Sequence, residues 1–190
     1  RYMGVTNLAR VLRWMPNLTV VNAQGNAMAT VNLQNQMMDG KAIYPMKNVK
    51  NLDLSYNKSL TTLALQTLDS LTLVATSLSA TAFKNATEKT SKRLYINSPV
   101  IPTQGTQYKL TTVDKPLKTL VYVNTSKDLM VSSCNLDTLQ VQSAPVTLMG
   151  NYTTNIKIKK LLVNNNTTIS FQTADMLLMW LCGWQKQNPQ

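Results

Sequence analysis

Few residues in this chain are equipped for chemistry. Histidine is absent, so no imidazole can act as a general base, a zinc ligand or the partner of a nucleophilic serine or cysteine. The carboxylates Asp39, Asp53, Asp69, Glu88, Asp114, Asp128, Asp137 and Asp175 are scattered, and no two have a spacing that sets a pair on one face. Only six glycines are present, and none of them builds a phosphate-cradling loop. Cys134 and Cys182 read as small buried apolar residues, and their pairing is left open by the sequence. This inventory leads us to expect no catalytic site, no metal and no cofactor. The chemistry it does allow is recognition through amides, hydroxyls and positive charge.

The charge is sparse but one-sided, with 19 Lys+Arg against 8 Asp+Glu. Lys47, Lys50 and Lys58 lie beside apolar repeats, as does the cluster Lys157, Lys159 and Lys160, while Lys84, Lys89, Lys92 and Arg93 gather in the middle of the chain. These groups lack interleaved aromatics, and no reader motif accompanies them, which argues against nucleic acid. A sulfated or sialylated glycan is the better anionic partner, and a solvated face with no partner is the simplest alternative. No segment approaches the ~20 apolar residues of a membrane span. The strongest apolar tract, MLLMWLCGW, is about half that length. The chain opens at Arg1 with no initiator Met and no signal peptide, so a processed or trimmed chain is expected, with any targeting segment removed.

The residues that could contact a partner must be positioned by the repeats around them. The stretch VKNLDLSYN places apolar residues at Val49, Leu52 and Leu54 and an asparagine at Asn57. The same offsets return at Leu68, Leu71 and Leu73, at Ser91, Leu94 and Ile96, and at Leu117, Leu120 and Tyr122. They recur at Leu136, Leu139 and Val141 and at Ile158, Leu161 and Val163, with an early copy at Met15, Leu18 and Val20. A period in the low twenties indicates a solenoid whose coils stack on their neighbours. Within L-x-L both leucines point to one side of a strand, and the asparagine can satisfy backbone groups where the chain turns. In LVYVN the inward pair is either Leu120 and Tyr122 or Val121 and Val123. A second series follows each first strand by about ten residues: Met28-x-x-Val31-x-Leu33, Leu60-x-x-Leu63-x-Leu65, Leu129-x-Val131, Val146-x-Leu148 and Ile169-x-Phe171.

The match of VKNLDLSYN to L-x-x-L-x-L-x-x-N resembles the leucine-rich repeat family, over most of Met15 to Phe171. The two extended sides and the wealth of Asn, Ser and Thr look like the surface leucine-rich repeat proteins of Bacteroidetes. Asp69-Ser70-Leu71 and Asp137-Thr138-Leu139 resemble the O-glycosylation sites of exported proteins in that group, although repetition alone would place both. The expected fold is therefore mainly β: one leucine-rich repeat solenoid with a parallel sheet and two extended sides per coil. The alternative with the same strand spacing is an antiparallel β-sandwich.

Helical caps are expected at both ends. The first spans 5–15, with Thr6 as N-cap, Leu8, Leu12 and Met15 on one face and Pro16 ending it; the second spans 173–184 and is expected to be buried, with a membrane-binding helix as the alternative. Between the caps, 15–171 carries the repeats, with an insert over 84–116 that bulges out as a loop or hairpin. Alternation then turns Asn17, Thr19 and Val21 outward in the first coil and, further on, a small, hydroxyl-rich set of outward residues. The candidates for binding on that face are Arg93, Tyr95, Asn97, Asp53, Gln140 and Lys160. The resemblance implies an exported protein, at the cell surface or extracellular, with a lipid anchor as one form of the removed segment, that binds a protein partner on the strand face; a glycan partner and a structural spacer within a larger adhesin are the alternatives.

Overall fold

The computed structural model describes residues 4–98, 107–112, 117–149, 155–175, 177–178 and 181–182. It is a mainly β solenoid of about five turns with a parallel sheet. One side of the coils is formed by β1 (Val20–Asn22), β5 (Asn51–Asp53), β7 (Leu68–Val74), β8 (Thr90–Asn97), β10 (Thr119–Val123), β11 (Leu129–Gln142) and β13 (Ile156–Val163), side by side in that order. Every pairing among them is parallel, which rules out the sandwich. The inward positions stack in columns: Val21, Leu52, Leu71, Leu94, Leu120, Leu139 and Leu161 share one register line. Leu73, Ile96, Tyr122, Val141 and Val163 share the next. Each fully buried leucine in such a column contributes about 1.5–3 kcal/mol by leaving water.

The second side begins with β2 (Thr30–Asn32) beside β6 (Thr62–Ala64) and resumes with β9 (Tyr108–Thr112), the first half of β11, β12 (Pro145–Leu148) and β14 (Thr168–Phe171). Leu63 faces Val31, Leu129 faces Val146 and Leu148 faces Phe171, so the second apolar series lines the other wall of the core. β11 runs round a corner and belongs to both sides.

Between β6 and β9 the strand is replaced by the helix α2 (Ala80–Lys89). Ser79 caps it by accepting the Ala82 N–H at 3.1 Å. Small residues Ala82 and Ala86 let it approach, and Phe83 stacks on Tyr108 with ring centroids 4.4 Å apart. Asn85 accepts the Leu65 N–H, so the helix satisfies backbone left open at the end of β6. This corrects two expectations. The stretch 84–116 does not simply bulge out: its described residues supply most of α2, all of β8 and β9. And one coil does have a helix on its second side.

The turn after five of the seven first strands uses a left-handed residue: Gly25, Tyr56, Ala75, Asn124 and Ser143 all have positive φ. The position after it is where the asparagine of the repeat stands. Asn57 is fully buried and its amide donates to the carbonyls of Ala23, Leu54 and Ser55. Asn26 does the same one coil earlier, to Ala23 and Gln24. The coil-by-coil alignment then puts buried Thr76, Thr125 and Ala144 in that position.

That asparagine pair corrects the first coil. Val21 and Ala23 point inward and Val20 is 61% exposed, so the copy is Leu18-x-x-Val21-x-Ala23-x-x-Asn26, not Met15, Leu18 and Val20. A one-residue slip exchanges the two faces of a strand, and the amide's need for carbonyl partners decides between them. Helix α1 (Leu8–Leu12) is capped by Asn7, not Thr6, and buries Leu8, Ala9 and Leu12 while Met15 stays exposed. At the far end residues 174, 175, 177, 178, 181 and 182 are helical, yet Leu177, Leu178, Leu181 and Cys182 are exposed and do not form the buried cap expected over 173–184. Met176, Met179, Trp180 and Trp184 lie outside the described residues.

Candidate functional site

Strand pairing arranges the outward residues of the main sheet into rows across the coils. Asn51, Ser70, Arg93, Thr119, Thr138 and Lys160 form one row. Asp53, Thr72, Tyr95, Val121, Gln140 and Leu162 form the next. Val74, Asn97, Val123 and Gln142 form a third. All six residues proposed from sequence therefore share one continuous face, and the pairing places Leu120 and Tyr122 inward in LVYVN.

The face is not uniform. Arg93, Tyr95 and Asn97 stand on one strand, where the Arg93 guanidinium lies 5.0 Å from the Tyr95 ring centroid. The Asn97 amide donates to the Tyr95 hydroxyl at 3.3 Å. Beside them Val121 and Val123 point outward yet are buried, shielded by larger neighbours on the adjoining strands. Gln140 lies two strands from Tyr95, about 10 Å at ordinary strand spacing. Asp53 lies as far on the opposite side, and its carboxylate already accepts the Ser55 N–H at 2.9 Å and the Gln24 amide. Lys160 is three strands from Arg93, about 14 Å away, on the terminal strand of the row. Tertiary structure thus gathers Arg93, Tyr95, Asn97 and Gln140 round two valines and leaves Asp53 and Lys160 at the margins.

The lysine groups do not converge. Lys84 and Lys89 belong to α2, on the other side of the coil from Arg93. Lys92 pairs with Asp69 at 2.8 Å, and Lys159 with Asp137 at 2.8 Å, each across one coil boundary. Those contacts hold both carboxyls below the ordinary carboxylate range, chiefly through the lysine hydrogen bond. The two Asp-Ser/Thr-Leu motifs thus coincide with a repeated ion pair.

Buried ionisable groups lie away from the face. Burial pushes the Cys134 thiol up to about 12, so it carries almost no thiolate at neutral pH. Cys134 and Cys182 are both free. Tyr108 and Tyr122 are driven well above the usual phenol range by burial, and burial lowers the Lys127 ammonium. Lys127 donates to the Leu78 carbonyl at 3.1 Å and lies 4.6 Å from the Tyr108 ring, which locks the corner beneath α2. Among the described residues no cluster of three His, Cys, Asp or Glu could hold a metal ion, and no helix is long and apolar enough to cross a membrane.

Sequence reasoning missed a second surface. Val20 pairs with Asn51, thirty-one positions on, whereas Asn51 pairs with Ser70 only nineteen on. The surplus folds into an antiparallel hairpin, β3 (Gln36–Met38) and β4 (Lys41–Ile43), turned by Asp39-Gly40 with positive φ at both residues. Asp-Gly between short apolar runs was the available signal. Trp14, Met37 and Tyr44 are strongly exposed around this hairpin.

Comparison with family models, curated proteins and solved structures finds no match for this chain.

Proposed function

We propose that this protein is a non-catalytic recognition module of the leucine-rich repeat type, from an exported bacterial protein, and that it binds a protein partner through the outward face of the main sheet. The observation that carries this reading is the row Thr72, Tyr95, Val121, Gln140, with Arg93 and Asn97 adjoining. An amphipathic aromatic and an arginine beside shielded aliphatics and amides have the composition of an interface centre. The flanking Ser70, Thr119 and Thr138 supply a polar rim.

A second reading, a glycan-binding surface protein, is favoured by Lys157 and Lys160, which are exposed and form no ion pair among the described residues, beside the paired Lys159. One binding experiment separates the two. The chain is tested against surface proteins, mucin and heparin-like polymers at low and near-physiological salt. Binding to a protein that survives the higher salt and is lost on Tyr95→Ala supports the first reading. Binding to anionic polymers alone, lost with salt and indifferent to Tyr95→Ala, sinks it in favour of the second.

A further inference from the structure

The β3–β4 hairpin interrupts the regular coils, adds Ile43 and the partly buried Met38 to the core, and builds a cleft. Asn35 precedes it, Tyr44, Met46 and Lys47 follow it, and Gln66 and Thr67 from the corner before β7 close the opposite wall. The cleft measures about 460 Å³, within the range of small-molecule sites. Its parts are held in place. Met46 is buried and its sulfur receives the Gln66 N–H at 3.4 Å, while the hairpin turn is tied to α1 by Arg13 on Asp39 at 2.6 Å. The groups that line it are nonetheless unused. The side chains of Asn35, Tyr44, Lys47, Gln66 and Thr67 make no hydrogen bond or ion pair among the described residues, and Tyr44 is 57% exposed.

We propose that this cleft binds an acidic sugar unit, a hexuronic or a sialic acid. The inference does not rest on the sheet-face reading. A pyranose offers an apolar C–H face and a belt of hydroxyls that both donate and accept. Here the Tyr44 ring and Met46 supply the matching apolar surface. Asn35 and Gln66 each present a donor and an acceptor to neighbouring hydroxyls, and Thr67 adds a hydroxyl. Lys47 is the cation that selects a carboxylate over a neutral ring. An apolar peptide anchor would strand these polar groups without partners; a sugar satisfies them.

The test is titration of the intact chain with an oligogalacturonate, a sialyl-lactose and neutral lactose, followed by ligand-observed NMR at near-physiological salt. One acidic sugar, at least, is expected to bind saturably and more tightly than lactose; which one does so distinguishes the two sources. Tyr44→Ala and Tyr44→Leu are each expected to weaken it about tenfold or more, the loss of one good contact. Lys47→Gln is expected to lower the acidic sugar to the level of lactose. Tyr95→Ala, on the sheet face, is expected to change nothing. Tyr44 and Lys47 are exposed, so thermal midpoints should match the parent protein. Absence of binding by both acidic sugars overturns the proposal. So does binding that Tyr44→Leu and Lys47→Gln leave unaltered, or that Tyr95→Ala abolishes.

Discussion

The strands β7 and β13 carry the same spacing of apolar residues and meet different fates. In β7, Leu71 and Leu73 are sealed, with β5 and β8 stacked on either side. In β13 the corresponding Leu161 is half-buried and Val163 is 49% exposed, because among the described residues only β11 adjoins it, on one side. β14 repeats this, with Ile169 and Phe171 only partly covered by β12. Burial in a solenoid is conferred by the adjoining coils, so identical sequence signals differ in energetic weight with their place in the stack. The other end differs again, since there Leu8, Ala9 and Leu12 of α1 join the core.

Substitution at matched positions tests this difference. Leu71→Ala should cost about 2–5 kcal/mol in urea unfolding, as a buried truncation does, whereas Val163→Ala should cost less than about 1 kcal/mol. Equal losses would show that the last coil is as tightly covered as the middle one. The asparagine position gives the next largest contrast. Asn57→Ala leaves three buried carbonyls without the amide and should cost about 1–3 kcal/mol, while Asn166→Ala, exposed at the matching place of the last coil, should stay within about 0.5 kcal/mol.

A smaller effect of opposite sign is expected at Thr76. Its buried hydroxyl has no hydrogen-bond partner among the described residues, so Thr76→Val should be neutral or stabilising by up to about 1 kcal/mol. Marked destabilisation would reveal a hydrogen bond there. The smallest effect is electrostatic. Asp39, Asp69 and Asp137 have folded-state pKa values lowered mainly by hydrogen bonds from Arg13, Lys92 and Lys159. Their stabilisation is present above the ordinary carboxylate pKa of about 4 and is lost as pH falls through the depressed values. Unfolding midpoints should decline gently below that pH, less so at high salt and less so in the Asp69→Asn, Asp137→Asn double variant. A decline unchanged in that variant would remove the repeated ion pair from the account.

Much of the fold was legible because its signals are local. Leu52 and Leu54, or Val31 and Leu33, declare a strand and its inner face within a few residues, and their recurrence declares the stack. The candidate face was legible by alternation from those inner residues, which is why Arg93, Tyr95, Asn97 and Gln140 fall on it together. Where the signal was degenerate the reading failed. Leu18 fits two registers, and the burial of Asn26 decided between them. The segment from Ala80 to Lys89 has no strong apolar stripe, and only the docking of Phe83 against Tyr108 shows why it is a helix on the core.

The sequence by itself determined the coil: its period, its two apolar walls and the polarity of its outer face, since each depends on neighbours within about twenty residues. Tertiary structure alone decided which outward residues adjoin one another, that Val121 and Val123 are shielded although they point out, and that Tyr44 and Gln66 face one cleft. Those relations join residues on different coils, and their distances are set by strand register and corner geometry, which no local pattern encodes.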